Sequence, residues 1–194
     1  MINKLNIKDK DYLERAEADI TYIKMLDVDR VTINGEFDIK HLLKIHRYIF
    51  EDIYDWAGEI RKINIEKAEK VLDGYSVEYG DYSVIHKKIE EILYLLKKVK
   101  WNDLSIKEKL KKYSLITARL WQIHPFREGN TRTIIVFMTQ YAIVNGFYID
   151  RALFKSKSKY LREALVMASL GQYSDISYLV DIFSNSIRNK DIIN

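Results

Sequence analysis

The chain has 194 residues, 31% of them charged and 47% hydrophobic, which is the profile of one ordinary globular domain. It contains no cysteine, which excludes thiolate zinc sites, redox motifs and a cysteine nucleophile. Its 32 basic and 28 acidic residues leave a net charge of +4, but the signs are mixed along the chain, so a solvated surface is expected rather than a nucleic-acid face.

The first ten residues interleave acids and bases with isolated apolar residues and lack the apolar core of a signal peptide, so a cytoplasmic location is expected. Residues 1–34 read as an N-terminal extension. From Asp38 to Trp56, Ile39, Leu42, Leu43, Ile45, Tyr48, Ile49, Ile53 and Trp56 recur at three- and four-residue spacing, which predicts a helix that Gly58 ends. His41 and His46 lie five apart, a spacing that does not suit zinc ligation from one helix face; His46 is a candidate for packing near a site.

Between Arg61 and Asp81 the pattern changes. Ile63 and Ile65 alternate with polar residues and Asp73-Gly74 supplies left-handed turn residues, which predicts a short exposed β-hairpin. Helical spacing resumes from Val84 to Val99, and the next helix opens on Ser105-Ile-Lys-Glu108, a capping box. Thr133 to Asp150 is nearly uncharged, yet Gln140 and Asn145 interrupt it, so a buried helix fits better than a membrane span. Two further helices are predicted at about 157–169 and 175–186. The fold class is therefore all-α: a helical bundle carrying one small β-hairpin.

One polar loop, His124-Pro-Phe-Arg-Glu-Gly-Asn-Thr-Arg132, interrupts these apolar helices and holds the chain's one proline. Gly129 and Asn130 tolerate conformations that let backbone N–H groups converge at the mouth of the following helix, an arrangement that binds anions and phosphate above all. Arg132 in the first turn is unfavourable against the helix dipole unless an anion compensates it. Glu128 suits magnesium, which takes one or two carboxylates and fills its other positions with water and phosphate oxygens. His124 is the nearby group able to accept a proton at neutral pH.

The loop resembles the signature of the Fic family: His, any residue, Phe, any residue, Asp or Glu, Gly-Asn-Gly-Arg, two residues, Arg. It stands here as His124, Phe126, Glu128, Gly129, Asn130, Thr131, Arg132 and Ile135. Gly35-Glu-Phe-Asp, Ile45-His-Arg-Tyr-Ile-Phe, Tyr54-Asp-Trp-Ala-Gly and Arg61-Lys-Ile-Asn-Ile65 look like the family's N-terminal half, and the resemblance spans about residues 35–185 of a single domain. It implies a protein adenylyltransferase that moves AMP from Mg-ATP, with Mg2+ as cofactor, to a Ser, Thr or Tyr hydroxyl of a target protein. By position, His124 is the general base, Phe126 anchors the loop, and Glu128 holds magnesium. Gly129, Asn130 and Thr131 form the anion hole, Arg132 grips the phosphates and Tyr160 lines the adenine pocket. Lys62, Ile63, Asn64 and Ile65 belong to the family's flap, which aligns the target as an added β-strand.

Two positions depart from the signature. Thr131 replaces a glycine where backbone approaches phosphate, and Ile135 replaces the second arginine. In the family that arginine pairs with an inhibitory glutamate from a Ser/Thr-x-x-x-Glu-Gly/Asn helix. The nearest string here, Thr32-Ile-Asn-Gly-Glu36, reads as a turn. Restraint is then expected from a separate antitoxin-like chain, or is not needed. Alternatives to AMP transfer are another nucleotide or phospho-donor, or a degenerate Fic fold acting as a binding module; neither nucleic acid nor membrane is expected as a partner.

Overall fold

The computed structural model describes residues 2–150 and 158–188, which are predominantly helical. Seven α-helices lie among the described residues: α1 (Lys10–Thr32), α2 (Ile39–Phe50), α3 (Ile85–Lys98), α4 (Ile106–Ile123), α5 (Asn130–Val144), α6 (Ser158–Met167) and α7 (Ser177–Ser184). The all-α expectation holds. None of these helices is long and apolar enough to cross a membrane.

Helix α5 is the centre. Ile134, Ile135, Val136, Phe137, Met138, Tyr141 and Ala142 are all buried, so it is apolar on nearly every side, as its sequence requires. Helices α2 and α4 pack on it, α1 lies across α2, and α4 also meets α3 and α7. Local signals fix the ends: the Asp38 carboxylate accepts from His41 N–H to start α2, and Ser105 with Glu108 forms a reciprocal capping box on α4.

Four features differ from the sequence reading. The predicted helix 38–56 stops at Phe50, whose carbonyl accepts from both Ile53 and Tyr54 N–H. The chain then turns while keeping Ile53, Tyr54 and Ala57 buried, so the apolar spacing continues although the helix does not. Gly58 sits at φ 81° and sends its N–H to His46 Nδ1 at 2.8 Å. Within the stretch read as an N-terminal extension, 10–32 form α1, the longest helix described, which periodicity does not predict because its polar sequence carries only a weak apolar stripe.

The predicted β-hairpin is the third difference. Residues 61–81 make the excursion and Asp73 adopts a left-handed conformation before Gly74, but no strand ladder joins the arms. Lys67 N–H donates to Ser76 Oγ at 3.1 Å, Asn64 Nδ2 to Asp81 at 2.8 Å, and the Arg61 guanidinium reaches the Gly80 carbonyl. Side chains take the place of a ladder. The ladder found among the described residues is instead a two-residue antiparallel pair, β1 (Tyr148–Ile149) with β2 (Ile187–Arg188), which periodicity could not reveal in so few residues. Fourth, α6 and α7 are shorter than predicted, and the stretch at 157 lies outside the described residues. Thr32–Glu36 is a turn, as expected: Thr32 ends α1 and Gly35 N–H donates to Ile33 O.

A buried polar node joins three helices. Gln140 on α5 donates to Asp29 at 2.8 Å and Thr32 at 2.7 Å on α1, and its oxygen lies 3.0 Å from His41 Nε2 on α2. Replacing Gln140 with Ala removes all three of these bonds at once and leaves buried His41 Nε2 without this acceptor. The expected loss is about 2–4 kcal/mol, lowering Tm by roughly 5–12 °C. Chemical denaturation showing less than about 1 kcal/mol of loss would remove the node from its structural role.

Candidate functional site

The loop between α4 and α5 is built by two left-handed residues. His124 ends α4 at φ 52°, ψ 60°, its N–H bonded to Trp121 O, and Pro125 prevents the helix from resuming. Positive φ at a non-glycine residue is uncommon and marks a position that its surroundings over-determine. Here Arg61 Nε donates to the His124 carbonyl at 2.8 Å, and Arg61 N–H donates to Pro125 O at 2.9 Å. At the other end Gly129 takes φ 77°, and a Cβ there would meet Phe50 Cζ at 2.1 Å. No side chain fits that position, which closes the chain onto α2.

Asn130 locks the loop between them. Its Oδ1 accepts from Phe126 N–H at 2.8 Å and its Nδ2 donates to Phe126 O at 2.7 Å. Phe126 is fully buried and stacked on the His46 ring at 3.8 Å. Because Gly58 N–H donates to His46 Nδ1, the proton of the neutral ring is on Nε2, which donates to the Glu128 carbonyl at 3.1 Å. His46 thus holds both the anchor and the backbone of the metal candidate. The sequence placed His46 near a site but gave no sign of this double contact.

The His124 ring is 1% exposed, lies against Trp121 and sits 4.1 Å from the Tyr79 ring, which covers it from the flap. Neither ring nitrogen has a hydrogen-bond partner among the described residues. Burial holds its pKa well below the ordinary value of 6.5; the charges of Lys67, Arg162 and Arg61 push the same way, against a smaller opposing pull from the Trp121 carbonyl. The ring is therefore neutral at pH 7.

The α5 N-terminus adjoins this base. Thr133 N–H donates to Gly129 O, so the N–H groups of residues 130–132 precede the first helical bond and form the positive end of the dipole. Glu128 lies just ahead of it, its carboxylate accepting from Gly129 N–H at 3.1 Å and from Lys67 Nζ at 2.9 Å. Burial pushes the Glu128 pKa up, but Lys67 and the Gly129 N–H outweigh it and hold the group below its ordinary value, ionised. Among the described residues there is no cluster of three or more metal-ligating side chains.

The remaining candidates divide. Thr131 does not narrow the cradle with its side chain: its hydroxyl accepts from Trp121 Nε1 at 2.9 Å. The Arg132 guanidinium points to α1, bonded to Glu17 and to Thr21 Oγ1 and lying over the Phe50 ring. Glu17 also accepts from Tyr54 OH. Ile135 is buried in the core. Tyr160 is half exposed at the start of α6, and Lys62, Ile63 and Asn64 are exposed on the flap with Ile65 partly so. Four residues beyond the signature join the site: Lys67 and Tyr79 on the flap, Glu69 between them, and Arg162 on α6, which binds Glu69 at 2.6 and 3.1 Å. The pattern of alternating acids and bases in 66–70 gave no hint of them. A cavity of about 540 Å3 lined by Trp101, Val144 and Gly146 lies at the far end of α5 from this loop.

The fold is a helical bundle with a buried neutral histidine in the loop that precedes the N-terminus of α5. Residues 36–142 match the family model for the Fic/DOC family, and the chain belongs to that family. It is 34% identical over 151 residues to the protein adenylyltransferase VbhT of Bartonella schoenbuchensis, covering 77% of this chain but only 30% of that protein. A probable protein adenylyltransferase, Fic, of Escherichia coli is 28% identical over 153 residues, covering 77% of this chain and 71% of that one. Among solved structures, BepC of Bartonella tribocorum with bound AMPPNP superposes with a TM-score of 0.81 at 21% identity, covering 98% of this chain and 93% of that one.

Three histidines are held neutral by burial: His41 and His124, each below its ordinary value, and His46, lowered to about 4. An unfolded histidine titrates near 6.5, so below that pH the unfolded chain binds protons that the native chain refuses, and stability falls as pH falls. Thermal melts from pH 7.5 to 4.5 are expected to show Tm level above about 6.5 and declining progressively below it. A Tm flat across pH 6.5 to 4.5 would show that the rings are solvated instead.

Proposed function

We propose that the chain is a protein adenylyltransferase, transferring AMP from Mg-ATP to a hydroxyl of a target protein with His124 as general base. The carrying observation is the neutral, unpartnered His124 ring next to the free N–H groups of the α5 mouth. The names of the relatives and the adenine nucleotides bound in the similar solved structures support it.

His124 accepts the proton of a Ser, Thr or Tyr hydroxyl as its oxygen forms a bond to the α-phosphorus, and the bond to pyrophosphate breaks. The N–H groups of 130–132 stabilise the phosphate charge, with Arg132 contributing its backbone while its guanidinium stays on Glu17. Glu128 fits magnesium: it is ionised, and one carboxylate suffices when phosphates and water supply the other ligands. When bound, the metal would neutralise phosphate charge. Tyr79 covers His124 on the flap side, so the flap moves before a target hydroxyl reaches the ring. Lys62 to Ile65, whose side chains are largely exposed, offer the edge along which the target segment is laid, and Tyr160 borders the adenine.

With Ile135 in the core, the arginine on which the family's glutamate lock acts is absent. Restraint falls to a separate antitoxin-like chain or to the Tyr79 cover. The same diversion of Arg132 and loss at 135 favour, as a second reading, a fold kept for binding, and leave other nucleotide donors open.

The test is labelling of the protein and of a cell lysate with α-32P-ATP against γ-32P-ATP in magnesium, comparing wild type with His124→Ala. Label from the α-phosphate alone, lost by at least about a hundredfold in the variant, is the expected result. Label retained by a folded His124→Ala protein would remove the base; no label from any nucleotide would favour the binding fold.

A further inference from the structure

Apart from the loop's own Arg127, which lies over the Trp56 ring, four cationic side chains bear on the loop among the described residues, and three of these have fixed structural partners. Arg61 donates to the carbonyls of His124, Ile63, Gly80 and Ile123, which pins the flap to the end of α4. Arg162 is held by two bonds to the Glu69 carboxylate. Arg132, the arginine of the signature, is held by Glu17 and Thr21 on α1. Position 135, where the family has its second arginine, is a buried isoleucine. An anion at the α5 mouth therefore finds each of these arginine side chains already engaged.

Lys67 differs from all of them. Its side chain is 22% exposed and its ammonium makes one ion pair among the described residues, with Glu128 at 2.9 Å, while its backbone N–H is anchored on Ser76. An ammonium has three donors on a flexible stem and acts as a point charge toward phosphate, so it can change partner without a fixed fork geometry. Its partner is the one carboxylate that suits magnesium at this site. Were that carboxylate to hold a metal, its hold on Lys67 would weaken and free an ammonium that sits on Glu128, the residue before Gly129, and whose charge already bears on His124.

We infer that Lys67, from the flap, is the side-chain cation that binds the β- and γ-phosphates of the nucleotide, in the role left open by Ile135 and by the engagement of Arg132. The inference rests on the nucleotide-binding reading of the site. The flap then has two roles, because the element that presents the target also senses the polyphosphate, and a nucleoside triphosphate recruits Lys67 where a monophosphate does not.

Calorimetric titration of wild type, Lys67→Met and Lys67→Arg with Mg-ATP, Mg-ADP and AMP tests it without any turnover. Lys67→Met is expected to bind Mg-ATP about tenfold or more weakly, with AMP affinity within about twofold, and Lys67→Arg to recover most of the loss. The contrary outcome is distinct. If the lysine serves only to neutralise Glu128, its removal frees that carboxylate for the metal, and Mg-ATP binds Lys67→Met as well as or better than wild type. That outcome overturns the inference while leaving the nucleotide site intact, and so does an equal loss of ATP and AMP. A wild type that binds no nucleotide overturns the inference together with the reading it rests on.

Discussion

The two hydrogen bonds between the Asn130 amide and the backbone of Phe126 are the constraint on which the rest of the site depends. They tie the start of α5 to the loop that leaves α4, so the residues between 126 and 130 have little freedom. The amide supplies both a donor and an acceptor to the backbone of one residue, which an ionised aspartate at 130 could not do. Phe126 then has to be buried, and it is, stacked on His46. Gly129 has to be glycine, because Phe50 fills the space a Cβ needs. The strain of His124 at positive φ is held by Arg61 from outside the loop. Proton acceptor and anion cradle are placed by one small set of contacts rather than by the bundle as a whole.

Charge around this loop is divided between structure and chemistry. Arginines, with their fixed planar forks, are used where several acceptors must be bound at once: Arg61 on four carbonyls, Arg162 on a bidentate carboxylate, Arg132 on α1. Lys67 instead holds a single carboxylate, that of Glu128. Lys67, Arg162 and Arg61 also help keep His124 neutral, since each disfavours a further positive charge in a buried space.

What the sequence made legible was local. Asp38 and the Ser105–Glu108 box mark helix starts through hydrogen bonds within four residues, and the unbroken apolar run of 134–144 marks a helix enclosed by others. The polar loop declared itself by contrast with its flanks, and the resemblance assigned roles within it. The distant partners were not legible. Glu17 lies 115 residues from Arg132 on a helix with little apolar patterning, so nothing local pointed to it. Lys67, Glu69 and Arg162 meet only because the flap folds back over α4 and α6. The hairpin reading found the turn at Asp73-Gly74, but side-chain bridges, which have no periodicity, replaced the ladder. Thr131, which stands where the signature has glycine, gave no sign that its hydroxyl accepts from Trp121.

The most direct test of the account is an amide-resolved NMR titration of the protein with Mg-ATP. The largest perturbations are expected at the backbone N–H groups of Gly129 to Arg132 and at His124, with Lys67 following. Perturbations absent from that loop, or gathered instead around Trp101 and Val144 at the other end of α5, would contradict the claim that the α5 mouth is where this protein holds its nucleotide.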